Sequence, residues 1–389
     1  MKRSPLAAKP SSTGDTGIQR VVRALMMALP AVLPPGWAMV PVAADCRDGS
    51  WAYRDASDYL AAVAGEPSGS AGDASGRIVN PIVGDIFLGL DLAGSYVVQA
   101  GRQNYYARLR ENWVKVYFVV YDLLPLTHPE CFSPEDGDGH RQWLETVTQG
   151  DGVLCISRSV AAAVKRWLRE NERFSRPDFT VDWFHLGADV ENSLPTTGIS
   201  DHALRALDRM ARRPSFLMVG TLEPRKGCDQ VLGAFERLWA QGQDVNLVIV
   251  GKRGWGVDAL VETIRSHPEL DERLFWLQAV SDEGLERIYT AAACLIAASA
   301  DEGFGLPLIE AARYRLPIIA RDIPVFREVA GAHAHYFGAQ CDSRGLALAI
   351  LDWLALFSEG RHPRPDGMVW LTWRESARRL VGIMLGDDR

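Results

Sequence analysis

Residues 215–240 read SFLMVGTLEPRKGCDQVLGAFERLWA. Ser215–Val219 is a continuous apolar run, the pattern of a strand covered on both faces. Gly220–Gly227 is a turn with two glycines and a proline. Cys228–Ala240 follows as an amphipathic helix. The same unit then repeats. Strands are expected at Asn246–Val250, Leu274–Leu277, Cys294–Ala298 and Pro317–Ala320. Helices are expected at Val257–Ser266, Asp282–Ala293 and Leu306–Tyr314. Strands alternating with helices in this way mean βαβ units and a parallel sheet, so the fold class is α/β. Ligands of such sheets bind at the carboxyl ends of the strands. That rule gathers the loops 220–227, 251–256, 280–282 and 299–305 on one rim.

The first half shows the same texture more faintly. Apolar segments occur at Asp85–Leu90, Tyr96–Val98, Lys115–Tyr121 and Gly152–Ile156, and the third of them is strand-like. Ser157 reads as the N-cap of a helix over 159–169. Residues 1–12 and the Gly/Ser-rich stretch 65–77 carry no packing pattern. Residues 20–44 loosely resemble a secretion signal, but Pro30, Pro34 and Pro35 interrupt the run and it does not open the chain. They read instead as a helix, a turn and a strand at Trp37–Ala43. The polar stretch 191–200 is the expected boundary between domains.

Bulk composition narrows the function classes. The 389 residues carry a net charge of −7, with 47% hydrophobic and 23% charged residues. That is the balance of a globular protein with two or three domains. Both halves are net negative, which argues against nucleic acid as a partner. The six cysteines are scattered without a zinc or CxxC spacing, which suits a reducing compartment. No uninterrupted apolar run reaches the roughly 20 residues needed to span a bilayer.

Two loops carry chemistry. In Gly220–Gly227, Arg225 and Lys226 stand side by side at a strand-to-helix turn. There they face the positive end of a helix dipole, an arrangement suited to a diphosphate. The alternative is a solvated turn with two surface cations. The glycine spacing is not that of a Walker A loop. In Asp301–Glu310, Glu302 lies in a glycine-rich loop and Glu310 eight residues on, inside the next helix. Gly303 and Gly305 allow close approach of backbone N–H groups to a ligand. Glu302 reads either as an acceptor for sugar hydroxyls or as a helix-start acid. Glu310 sits among apolar neighbours and needs a partner.

The Glu-x7-Glu spacing, the Gly-Thr-Leu-x-x-x-Lys-Gly turn and Val280–Glu283 together resemble the family 4 glycosyltransferases. These are retaining enzymes of the GT-B fold, two Rossmann-like domains facing a cleft. The resemblance covers about 215–326. It implies that Arg225 and Lys226 hold the donor diphosphate, that Glu302 meets the donor sugar, and that Glu310 binds the ribose. The backbone at Gly303, Phe304, Gly305 and Leu306 would meet phosphate or sugar, and Val280 would lie by the base. Thr16–Val21 resembles the glycine loop of mannosyl- and rhamnosyltransferase-like members, which brings in Gly17. Tyr121–Leu126 resembles the segment where many members have His-Asp. Tyr121 replaces the histidine, so only Asp122 is carried over, as a catalytic residue or as a simple cap. His185 is equally a packed histidine or a ligand. Members also carry a strand before the Thr-Gly loop, and residues 1–13 show no such pattern.

The expected organisation follows from that resemblance. Residues 1–195 form the acceptor-side domain and 196–371 the nucleotide-sugar domain. Residues 372–389 form a helix returning to the first. The expected activity is metal-independent, cofactor-free transfer of a hexose or deoxyhexose from a nucleotide-sugar donor, with GDP-mannose or a deoxysugar nucleotide favoured. The acceptor would be a glycan or lipid-linked glycan of a surface polysaccharide. The protein would be cytoplasmic, peripheral to the inner membrane face. A non-catalytic sugar-nucleotide-binding subunit and a nucleotide-sugar epimerase are the alternatives.

Overall fold

A computed structural model describes residues 17–47, 50–58, 76–92, 94–174, 176–189 and 196–386. The expectations for residues 1–16, and parts of those for 65–77 and 191–200, lie outside the described residues. The chain divides into two compact units, Met1–Leu194 with Leu371–Arg389, and Pro195–Trp370.

The first unit opens with the helix Gly17–Ala28, whose Val21, Val22, Ala24 and Leu25 are buried. Two strands, β1 (Val42–Arg47) and β2 (Ser50–Asp55), then pair antiparallel. The strand expected at Trp37–Ala43 is therefore corrected. Residues 37–41 are irregular, because Gly36 has φ +90° and Trp37 N–H closes a turn on Pro34 O at 3.1 Å. Pro41 then contributes no ladder donor. The apolar segment Tyr96–Val98 lies within a helix, Gly94–Arg102.

Four parallel strands follow: β3 (Ile86–Gly89), β4 (Lys115–Val120), β5 (Gly152–Cys155) and β6 (Thr180–Trp183), in that spatial order. Ser157 caps the next helix, accepting from Val160 N–H at 3.0 Å. Tyr106 packs edge-on against Phe118 and tilted against Phe87, and the Tyr53 and Tyr106 hydroxyls share a hydrogen bond of 2.9 Å. The last helix, Trp373–Leu385, starts at a capping box between Thr372 and Glu375. It is fastened to this unit by Trp373 N–H to Asp189 Oδ1 at 2.6 Å and Ser376 Oγ to His185 O at 2.7 Å.

In the second unit the five strands and four helices expected from periodicity form to within one or two residues at each end, while the helices Asp201–Met210, Pro324–Ala330 and Ser343–Ser358 and the last strand, His335–Phe337, were not anticipated. The unit holds β7 (Ser215–Val219), β8 (Asn246–Val250), β9 (Leu274–Leu277), β10 (Cys294–Ala297), β11 (Ile318–Arg321) and β12 (His335–Phe337). All pair in parallel, in the order β12-β11-β10-β7-β8-β9. The chain runs outward one way from β7 and the other way from β10. The switch point, where a crevice opens in such sheets, is therefore between these two strands. Phe216, Phe235 and Trp353 fill the core beneath it.

The rim is tightly drawn. A Cβ on Gly251 would lie 1.8 Å from Gly220 O, so the loops after β7 and β8 touch backbone to backbone. Gly251→Ala is expected to destabilise this unit by about 3 kcal/mol, the upper end of ordinary overpacking. Thermal unfolding should fall by roughly 6–12 °C. A melting temperature unchanged within a degree would show that the loops can part at no cost.

Candidate functional site

The two loops flanking the switch point are those leaving β7 and β10. After β7 the chain makes one 3₁₀ turn, Pro224–Lys226, before the helix Cys228–Ala240. Gly227 has φ +68°, which an L side chain adopts with difficulty. A Cβ there would also meet Ala298 O at 2.6 Å. The turn therefore lies directly on the end of β10. Ala300 N–H donates to Arg225 O at 2.7 Å, a second tie between the loops.

These ties bring Arg225, Lys226 and Glu302 together, 76 or 77 positions apart in sequence. Arg225 Nη1 lies 3.1 Å from Glu302 Oε2, and Lys226 Nζ donates to Glu302 Oε1. Ser299 Oγ adds a hydrogen bond to Oε1 at 2.7 Å. Arg225 also reaches Glu223 Oε2 at 3.1 Å. The three side chains are only 13–16% exposed. Burial alone would raise the Glu302 pKa, but the Lys226 and Arg225 charges and the hydrogen bonds hold it at about 2. Two cations thus share one carboxylate, and they are not a solvated pair.

The pKa has a consequence for stability. Glu302 is depressed in the fold relative to 4.5, so its ionised form stabilises the protein above about pH 4.5. That contribution is lost as pH falls toward 2. Glu302→Gln lacks it, so its unfolding free energy should fall less steeply than that of the wild type between about pH 5 and pH 2. The difference in slope is at most about 1.4 kcal/mol per pH unit, one proton's worth. Denaturant unfolding at several pH values measures it, and parallel curves would contradict the burial of this charge.

Gly305, at φ +93°, leads into the helix Leu306–Arg313. Gly303, Phe304 and Gly305 are buried and Leu306 is partly exposed. Glu310 is 3% exposed and accepts a hydrogen bond from Tyr289 Oη at 2.7 Å. Tyr289 in turn stacks on Tyr314 at 5.3 Å. The partner that an apolar setting demands of Glu310 is thus a phenol from the neighbouring helix. Val280 follows β9 and an Ala279 of φ +52°, and lies against Gly284 at the start of the helix Asp282–Ala291.

The remaining sequence-selected residues lie in the first unit. Gly17 is the exposed first residue of its helix, and a Cβ there would meet nothing within 4 Å. Asp122 follows β4, and its Oδ1 accepts from Leu124 N–H at 3.0 Å, in the turn that leads into the short helix Leu124–Thr127, whose N-cap is Leu123. The His140 ring nitrogen lies 3.1 Å from Asp122 O. Tyr121 is buried and donates to Leu90 O at 2.6 Å. The His185 ring lies 4.9 Å from that of Trp183.

Sequence reading passed over Ser299, Tyr289 and Arg321. Ser299 lies three residues before Glu302 and was open to inspection. Tyr289 and Arg321 reach their partners across the fold, and nothing in the local sequence marks them.

Residues 204–362 match the family described as glycosyl transferases group 1. The second unit carries a group 1 glycosyltransferase domain. The whole chain is similar to the serotype-specific mannosyltransferase WbdA of Escherichia coli, 43% identical over 372 residues. That alignment takes in 94% of this chain and 44% of the relative, so the chain spans under half the length of this relative. The O-antigen chain mannosyltransferase RfbU of Salmonella typhimurium is 32% identical over 114 residues, covering 29% of this chain and 31% of that protein.

Among solved structures, Anabaena HepE in complex with UDP and glucose is similar with TM-score 0.52 at 17% identity. It covers 77% of this chain and 73% of its own. Sucrose-phosphate synthase from Thermosynechococcus elongatus gives TM-score 0.53 at 20% identity, over 75% and 70%. These likenesses show the fold, which is GT-B. The group 1 domain contains the Arg225–Lys226–Glu302 cluster and the Glu310–Tyr289 pair. Among the described residues no helix is long and apolar enough to cross a membrane.

Proposed function

We propose that this chain transfers a hexose, with mannose from GDP-mannose favoured, from a nucleotide-sugar donor to a glycan acceptor in surface polysaccharide synthesis. The observation that carries the reading is the pair of cations at the switch point, Arg225 and Lys226, meeting on Glu302. The 43% likeness to a mannosyltransferase supports the sugar. HepE, similar in fold, is a protein that holds UDP and glucose.

In this reading the donor diphosphate takes Arg225 and Lys226, and the helix starting at Cys228 adds its N-terminal dipole. The bond from the anomeric carbon to the phosphate oxygen breaks, and the two cations stabilise the charge that gathers on the leaving diphosphate. The acceptor hydroxyl bonds to the same face of the sugar. Its proton passes to a leaving phosphate oxygen, so the anomeric configuration is retained and no protein nucleophile is needed. Glu302 accepts from the sugar hydroxyls and Glu310, held by Tyr289, from the ribose. Since protein cations neutralise the diphosphate, no metal or other cofactor is required. Asp122 serves the acceptor side. A lipid-linked acceptor would place the protein in the cytoplasm, against the inner face of the membrane.

The test is transfer from a panel of nucleotide sugars to mannose-terminated oligosaccharides, in EDTA, with the product anomer read by NMR. The expected result is transfer from GDP-mannose, undiminished by EDTA, with an α-linked product. An inverted product, or transfer that stops without a divalent cation, would overturn the mechanism.

A further inference from the structure

Arg321 ends β11, beside the strand that feeds the Glu302 loop. It is only 7% exposed. Its Nε and Nη2 donate to Ala298 O at 3.0 and 2.9 Å, and Nη1 donates to Ala339 O at 2.7 Å. Nη2 also donates to Gln230 Oε1, and Gln230 Nε2 donates to Cys341 O at 2.6 Å. The Phe337 ring lies 5.0 Å from the guanidinium carbon. Every hydrogen bond of this guanidinium ends on a neutral oxygen.

That is an expensive way to fill space. A buried charge is normally met by an opposite one, and a neutral apolar residue often packs as well or better. Burial pulls the Arg321 pKa below its usual value, with opposing help only from Cys341 and Asp229. The positions of its contacts suggest what the charge is for. Ala298 O is the carbonyl on which Gly227 rests, and Ser299, the next residue, holds Glu302. Gln230 lies in the first turn of the helix that begins behind Lys226. One guanidinium therefore ties both loops of the donor site together, and none of its hydrogen bonds brings a carboxylate to its positive charge.

We propose that Arg321 is a positioning residue for the donor diphosphate. It fixes Ala298 and Gln230 so that Arg225, Lys226 and the helix N-terminus converge, and its own charge favours an anion above them. The proposal rests on the donor-site reading given above.

The experiment compares GDP and UDP with the matching nucleosides by calorimetry, in wild type, Arg321→Met and Arg321→Lys, alongside thermal unfolding. A residue that merely supports the fold would change nucleoside and diphosphate binding alike. The expected result for Arg321→Met is diphosphate binding weakened at least tenfold, with nucleoside binding within about twofold of wild type. Arg321→Lys, which keeps the charge and loses the fork, should recover part of the loss. If the methionine variant does not fold, the lysine variant decides alone, and weakening confined to the diphosphate supports the proposal. Equal losses for both ligands, or no change, would overturn it. Wild type that binds no nucleotide would instead refute the donor site itself.

Discussion

Glu302→Gln should separate donor binding from sugar transfer. The substitution is nearly isosteric and keeps an oxygen for Ser299 Oγ, which now sits 2.7 Å from the carboxylate. It removes the negative charge that Arg225 and Lys226 share. In the unliganded protein that carboxylate competes with a diphosphate for the same two cations. Without it, both are released to the phosphate oxygens, and GDP should bind about tenfold more tightly, a gain of roughly 1.4 kcal/mol. Transfer should move the other way. A charged acceptor that grips the sugar as its anomeric carbon gains positive character is worth more in the transition state than in the ground state. The turnover number is expected to fall at least 10²-fold, about 2.7 kcal/mol. Initial rates and calorimetric titration on one preparation measure both. Parallel loss of binding and turnover would mean that Glu302 supports the loop and nothing more.

Lys226→Ala should weaken the donor itself. A charge-assisted contact to a diphosphate in a partly buried site contributes about 2–3 kcal/mol. Nucleoside diphosphate affinity should therefore fall roughly 30- to 150-fold. The substitution also leaves Glu302 with Arg225 as its one close cation among the described residues. Because Lys226 and Glu302 are bonded to each other, the double variant should be markedly non-additive. If Lys226→Ala and Glu302→Gln add without interaction, the pair does not work as one unit. Titration of the four proteins with GDP closes the cycle.

The first five strands of the second unit were legible because they are buried on both faces, whereas the half-buried β12 was not. Runs such as SFLMV and NLVIV leave little choice of structure. The turn after the first of them carries two cations, which the sequence leaves open between a diphosphate site and a solvated surface pair. That Glu302 would meet those cations was not legible. The contact depends on strand order, which sets β10 beside β7, while periodicity reports only that strands exist. In the first unit the signal was weaker. Trp37–Val40 is apolar enough for a strand, yet proline and glycine on either side defeat it. The β1–β2 hairpin and β6 escaped notice, being half-exposed and poor in continuous apolar sequence. Arg321 ends a strand with nothing in the local sequence to mark it, and only its burial in the fold sets it apart from a surface cation.

The central claim is that Arg225, Lys226 and Glu302 form a nucleotide-sugar diphosphate site that needs no metal. Calorimetric titration of the wild type with GDP and UDP in EDTA, repeated with Lys226→Ala, tests it most directly. The account predicts selective binding of one nucleoside diphosphate by the wild type, weakened roughly 30- to 150-fold in the variant. Folded protein that binds neither nucleotide, or that binds one only when a divalent cation is supplied, would contradict it.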